Sequence, residues 1–425
     1  MTISLPKSTI HRTVLDNGII VLVSENPACD IIASRIFLRA GSCYESREQA
    51  GLANLLSAVL TKGCDGLSSL DIAEKVETLG ASLSADITSD YFLLALKTVT
   101  ADFAEILELS ARILRSPTFS ESEVELEQRI AIQDIRSQQE QPFAIAFEKL
   151  RLLMYENHPY SMSVLGDEKS LTNLNSESLK EFYQTYFRPD NLVISIAGRI
   201  DCSKAVELVN KNFGDWKAPT DKPLVELNLP EIKVKPKNTI TPQTTQQSII
   251  MLGYLGADVR SPDYAALKLI STYLGNGLSS RLFVELREKR GLAYDISAFY
   301  PTRVFPASFI VYMGTAPHNT STAFHGLRKE VDHLNHTQLE PEVLQVNKNK
   351  ILGQYALGKQ TNAQVAQVYG WYEIIGLGID FDRKFQENIN SVTVADILAI
   401  AQKYLWEPYV SLVGHEEAVN TVFLD

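Results

Sequence analysis

The sequence predicts an α+β protein of two tandem, homologous domains, each an antiparallel-rich sheet with helices on one face. Three observations lead there. The chain has 425 residues, too many for one ordinary core. A stretch from Trp216 to Ile240 carries Pro219, Pro223, Pro230 and Pro236 among Lys, Asp and Glu. Proline removes N–H donors and favours extended backbone, so this stretch reads as a semi-rigid connector between halves of similar size. The two halves also end alike. SLKEFYQTYFRPDNLVISIAG (Ser178 to Gly198) and DILAIAQKYLWEPYVSLVG (Asp396 to Gly414) both run through a helical pattern, aromatic residues and a Pro into an apolar strand closing on Gly. The boundaries that follow are 1–215, 216–240 and 241–425.

Each half opens with strand-like runs. GIIVLVSE and IIASRIFLRAG supply them in the first half, and QSIIMLGYLGA in the second. Strands first, helices between and a strand last suggest helices laid on an antiparallel sheet. Between Gly51 and Cys64, GLANLLSAVLTKGC puts Leu52, Leu55, Leu56, Val59 and Leu60 on one apolar stripe, the period of a helix. Ser46 with Gln49 predicts its capping box, Gly63 its stop, and Lys62 a cation in the last turn. Asn54, Ser57, Ala58 and Thr61 fall on the opposite face, which for this segment alone reads as a solvated back. Further on, LGNGLSSRLFVELREKRG predicts a turn and a helix. Ser279 or Ser280 caps that helix, Leu282, Phe283 and Leu286 are its buried face, and Gly291 ends it. The turn's Gly275 and Gly277 fit a tight turn, or an anion held by backbone N–H groups. LAYDISAFY follows as a strand.

Composition narrows the function. An apolar content of 45% is that of a globular chain. A net charge of −11 argues against a nucleic-acid partner, which needs clustered Lys and Arg. Cys29, Cys43, Cys64 and Cys202 form no C-x-x-C pair, which points to reduced thiols. No segment reaches the length of a membrane span, and the N-terminus has neither an apolar signal core nor an Arg-rich presequence. A soluble, cytoplasmic protein is expected.

Two segments carry a resemblance to a known family. The frame of GLANLLSAVLTKGC is similar to the zinc helix of the M16 metallopeptidases, the mitochondrial processing peptidase-like group. There the motif H-x-x-E-H sets two His and a Glu on one helix face, to bind zinc and activate water. The matching positions here hold Asn54, Ser57 and Ala58, none of them a good zinc ligand or a base near neutral pH. The family's third ligand is a Glu on a later helix; in EQRIAIQDIRSQQEQP, Asp134 falls at or next to it. The second segment, SSRLFVELREKRGLAY, resembles the family's Arg/Tyr segment, whose two residues lie seven apart and contact substrate. Arg287 and Tyr294 match them. The resemblance spans nearly the whole chain and implies tandem α+β domains.

It also implies a role. One half of an active site is kept and the other erased, as in the non-zinc subunit of a heteromeric M16 zinc peptidase. Such a chain holds no metal itself and pairs with a subunit carrying H-x-x-E-H, which supplies zinc. Its substrate is an extended or unfolded peptide. Arg287 and Tyr294 would act in trans, the hydroxyl on a developing oxyanion and the guanidinium on the chain. From residue types alone, Arg287 reads as a solvated helix charge and Tyr294 as a core aromatic; the match in spacing and in the flanking S-S-R-L-F and R-G-L-A-Y strings reverses that. The alternative function is a proteolytically inactive structural or peptide-binding homologue, and a homodimer is possible where the partner is absent. A third reading, metal held by His333 and His336 beside Asp332, lacks a further ligand. His158-Pro159-Tyr160 resembles a family turn without a catalytic role.

Overall fold

The computed structural model describes residues 10–220 and 222–423; the first nine residues of the N-terminal stretch considered above lie outside that range. In the first sheet the strands are β1 (Ile10–Val14), β2 (Ile20–Glu25), β3 (Ile31–Leu38), β6 (Ser82–Ile87), β7 (Phe92–Val99) and β8 (Leu192–Gly198). A two-residue hairpin, β4 (Gly63–Cys64) with β5 (Leu67–Ser68), stands apart from it. The second sheet holds β9 (Asn238–Pro242), β10 (Ser248–Leu255), β11 (Asp295–Phe299), β12 (Ser308–Thr315) and β13 (Tyr409–Gly414).

The repeat read from the chain ends appears as topology. Sheet one runs β1-β2-β8-β3-β7-β6, and sheet two, read from its parallel edge, runs β9-β13-β10-β12-β11. In each, the last strand of the half lies parallel to an early edge-side strand, β8 with β2 and β13 with β9. The remaining pairs are antiparallel. The α+β class, antiparallel-rich in both sheets, is what the sequence predicts. Among its described residues the linker has no helix or strand until β9 begins at Asn238.

Central strands are buried along their length, β8 and β13 at every residue. That requires cover on both faces. On one face of sheet one, Ile32, Ile36, Ile194 and Ile196 join Leu55, Ile106, Leu179 and Val209 in one apolar cluster. These come from helices Leu52–Leu60, Phe103–Arg115, Ser176–Tyr186 and Cys202–Phe213. The adjacent residues Phe37 and Ser195 point the other way. They meet helix Asn362–Ile374, where a Cβ on Gly370 would lie 2.3 Å from the Phe37 ring and 2.9 Å from Ser195 Cβ. Asn362 Nδ2 donates to the Ile31 carbonyl (2.7 Å), Arg39 Nε donates to the Ile374 carbonyl (2.9 Å), and Glu373 pairs with Arg12 of β1 (2.9 Å).

Sheet two repeats the arrangement with a helix from the other half. Ser248 and Gly256 of β10 touch Thr320 and Leu267, from helices Thr320–His336 and Tyr264–Gly275. Gly253 faces oppositely and meets Leu150 and Met154 of helix Pro142–Tyr155. The compact units are therefore interleaved along the chain. One comprises Met1–Ile135, Met162–Asn228 and Ala356–Asp382; the other comprises Arg136–Ser161, Leu229–Tyr355 and Arg383–Asp425. To the expected helices on one face, each unit adds a single helix on the other, supplied by the opposite half of the chain.

Candidate functional site

The helix predicted to carry the erased zinc positions spans Leu52–Leu60. Its start differs from expectation. Ser46 and Gln49 do meet (3.4 Å), but across a separate short turn, Arg47–Gln49. The helix opens after Gly51, held at φ 92° against the Leu165 carbonyl, where only glycine is unstrained. Its first N–H groups are satisfied by Glu45, a buried carboxyl six residues upstream. Glu45 Oε2 accepts from Gly51 N (2.9 Å) and Oε1 from Ala53 N (2.6 Å). Burial pushes the Glu45 carboxyl up to about 8, against the pull of those two N–H groups toward the charged form.

The far end differs too. The helix closes at Leu60, and Gly63 begins β4, where a Cβ would strike Thr118 Oγ1 at 2.4 Å. Lys62, expected to answer the helix dipole, instead pairs with Glu127 of helix Glu121–Gln139 (2.9 Å). The back of the helix is not solvated either. Asn54 and Ala58 are half-buried, and Ser57 is 7% exposed. The helix lies against β6 and helix Ser176–Tyr186. Ser57 Oγ donates to the Asn54 carbonyl (2.8 Å), so its hydroxyl is spent within the helix. Asp134 is exposed on helix Glu121–Gln139. Among the described residues, no three His, Cys, Asp or Glu side chains stand together as a metal set.

The Arg/Tyr segment lies in the other unit. Phe283–Glu288 forms a π-helical turn in which Lys289 N donates to the Val284 carbonyl (3.0 Å). This wider winding is frequent at functional sites. Gly291, at φ 63°, ends it, with Leu292 N donating back to the Leu286 carbonyl (2.9 Å). Leu282 and Leu286 are fully buried, as expected, but Phe283 is only half-buried. The Arg287 guanidinium lies over its ring, 5.0 Å from the centroid. Neighbouring charges pair among themselves, Arg281 with Glu330 (2.7 Å) and Lys289 with Glu285 (2.8 Å). Arg287 has no carboxylate partner among the described residues. Tyr294 is 62% exposed and so is no core aromatic. Its backbone N donates to the Gly314 carbonyl (2.8 Å), anchoring the residue at the head of edge strand β11.

Two family models match this chain in succession. Residues 20–168 match the family model described as insulinase (peptidase family M16), and residues 173–351 match the model of the peptidase M16 inactive domain. The chain belongs to the M16 peptidase family. An uncharacterized zinc protease of Bacillus subtilis, YmxG, is 25% identical over 94% of this chain and 97% of its own length. One from Streptomyces coelicolor is likewise 25% identical, over 96% and 90%. In fold, this M16 chain is similar to a peptidase M16 inactive domain structure from Pseudomonas fluorescens, with a TM-score of 0.89, 23% identity, and coverage of 96% and 98%. It is also similar to a protease from Helicobacter pylori, with a TM-score of 0.90, 20% identity, and coverage of 96% and 99%.

Other candidates in the M16 chain have structural employment. His158 is buried, and its Nδ1 accepts from Tyr160 N (3.1 Å); burial lowers it to about 4, so the ring is neutral near pH 7. His336, at the end of helix Thr320–His336, stacks near Trp406, and the adjacent Asp332 is held by Arg328 (2.7 Å). Gly275 is required by contact, since a Cβ there would lie 1.8 Å from Ala298 N, and Gly277 by its φ of 81°. The tight-turn reading therefore suffices for both. Sequence reasoning missed Glu45 and the Arg188–Asp190 pair. Arg188 is buried, grips Asp190 through two bonds (2.6 and 2.7 Å) and donates to the Lys222 carbonyl (2.6 Å), tying the first part of the linker to sheet one's unit. The R-P-D spelling was visible, but nothing in it named the linker as the partner.

Proposed function

We propose that this chain is the non-zinc subunit of a heteromeric M16 peptidase, pairing with a subunit that carries H-x-x-E-H and supplies zinc. The repeats are assigned to residues 1–215 and 241–425, joined by 216–240. This chain would hold no metal of its own and would be soluble and cytoplasmic; no helix among its described residues is long and apolar enough to cross a membrane. One contrast carries the reading. Where the family's zinc ligands and base stand, the chain has Asn54, Ser57 and Ala58, packed and internally bonded. Yet Tyr294 stands exposed on a fixed backbone, and Arg287 is without an ion-pair partner among the described residues.

The substrate would be an extended peptide. The outer edge of β6 supports this, because among the described residues β6 pairs only with β7, and it lies against the helix of Asn54, Ser57 and Ala58. An edge strand offers main-chain groups for a peptide to add as a further strand. In the assembled pair, Tyr294 would donate to the oxyanion formed when the partner's activated water attacks, and Arg287 would orient the peptide. In the partner's absence the chain could self-associate as a homodimer.

The test is reconstitution with an H-x-x-E-H subunit. Peptide cleavage should require both chains, and Tyr294→Phe should lower turnover by about 10²–10³-fold, the cost of one oxyanion donor. The lost hydroxyl has no hydrogen bond among the described residues, so the melting temperature should not move. A wild-type rate from Tyr294→Phe would leave the inactive-homologue reading in its place.

A further inference from the structure

The unit of sheet two holds a pocket of about 460 Å³ beside the Gly275–Gly277 turn, within the range of small-molecule sites. Its lining includes Lys268, Thr272, Asn276, Ser297, Phe299 and Gln354. The polar groups are mostly committed. Ser297 Oγ donates to the Gly275 carbonyl (2.9 Å) and Thr272 Oγ1 to the Lys268 carbonyl (2.9 Å). Asn276 and Gln354 bond each other twice (2.7 and 3.2 Å). No carboxylate lines the pocket.

The lysines are the exception. Lys268 Nζ donates once, to the Tyr300 carbonyl (2.7 Å), and lies 5.4 Å from the centroids of both the Tyr264 and Tyr300 rings. An ammonium has three donors, so two remain. Lys350 is outside the lining itself, but its Nζ reaches the rim at Gly277, 3.2 Å from where a Cβ on that glycine would sit. Neither lysine has a carboxylate partner among the described residues. Burial alone lowers both, Lys268 to about 8. Withdrawing the Lys268 ammonium from water without a counter-ion is costly, and none of the described residues supplies one.

We propose that the pocket binds a small ligand through an oxyanion, carboxylate or phosphate, held by Lys268 and Lys350, with its apolar part against Phe299 and Ile351. The geometry favours an anion because the donors left over are cationic and no acid competes for them. The ring faces of Tyr264 and Tyr300 hold Lys268 in place and leave its remaining donors for the ligand. This site does not depend on Arg287, Tyr294 or a peptidase partner.

The test uses the purified full chain alone. It is titrated with inorganic phosphate, with N-acetylphenylalanine and with N-acetylphenylalanine amide, and binding is followed by calorimetry and by amide shifts at Gly275 to Gly277. Saturable binding of phosphate identifies a phosphate source, and binding of the acid but not the amide a carboxylate source; either supports the proposal. Lys268→Met and Lys350→Met should each weaken that binding about tenfold or more, as loss of a charge-assisted hydrogen bond does. If Lys268→Met does not fold, Lys350→Met decides. No binding up to about 10 mM, equal binding of acid and amide, or unchanged affinity in Lys350→Met overturns it.

Discussion

Glu45 is the residue on which helix Leu52–Leu60 hangs, and its removal can be worked through. It is 6% exposed, and both its oxygens accept backbone N–H groups, from Gly51 and Ala53. Glu45→Ala leaves two buried donors unmatched, at about 1–3 kcal/mol each. Relief of the carboxyl's own burial offsets part of this. A net loss of about 2–4 kcal/mol follows at acid-to-neutral pH, above the usual cost of a lost cap. The loss should depend on pH. The folded carboxyl titrates at about 8, above the 4.5 of the free group. Between those values the folded chain holds a proton that the unfolded chain has released, so stability falls as pH rises, by up to about 1.4 kcal/mol per unit. The contribution is fully present below 4.5 and is lost as pH climbs through 8. Denaturant unfolding of wild type and Glu45→Ala at several pH values between 5 and 9, followed by circular dichroism, reads both effects. The gap between the two proteins should narrow with rising pH. A gap that widens, or a variant as stable as wild type at pH 5, refutes the reasoning.

Further outcomes follow from the same geometry. Asn54→His, Ser57→Glu and Ala58→His together should bind zinc only weakly by calorimetry, because position 57 is buried and the outer support for such ligands is missing; tight stoichiometric zinc would count against a lost site. In a reconstituted pair, Arg287→Ala should raise KM and lower kcat. Arg287→Lys should recover neither fully, since a point charge lacks the planar fork and its stacking on Phe283; full rescue by Lys would remove the orienting role. Gly370→Ala should cost about 1–3 kcal/mol through its clash with Phe37, despite alanine's better helix propensity. An unchanged melting temperature would mean that helix Asn362–Ile374 shifts to accommodate the methyl.

Much of the fold was legible because it is written in local patterns. The runs at Gly18–Glu25, Ile31–Gly41 and Gln247–Ala257 are strands, and the closing segments Leu192–Gly198 and Tyr409–Gly414 are central ones. Cover on their second face was not read from the sequence, which predicts helices on one face alone. Periodicity says that a side is buried but not by what, so it could not reveal which half supplies helices Pro142–Tyr155 and Asn362–Ile374. At the site, the leucine stripe fixed the helix, but its cap came from Glu45, outside the Ser-x-x-Gln pattern. The solvated back failed for a related reason. Small polar residues such as Ser57 satisfy themselves on the helix backbone and can then be buried. Tyr294's exposure was invisible, because an aromatic heading a strand reads the same whether it faces core or water.

The traded helices bear on how the chain is made. Sheet one is assembled from strands that end at Gly198, yet the helix covering Phe37 and Ser195 ends at Ile374. A nascent chain therefore emerges from the ribosome with one face of its first sheet bare until some 170 further residues have been polymerised, at about 5–20 residues per second. During that interval the apolar side of β3 and β8 needs temporary shelter. A fragment cut at the proline-rich connector would never outgrow that need.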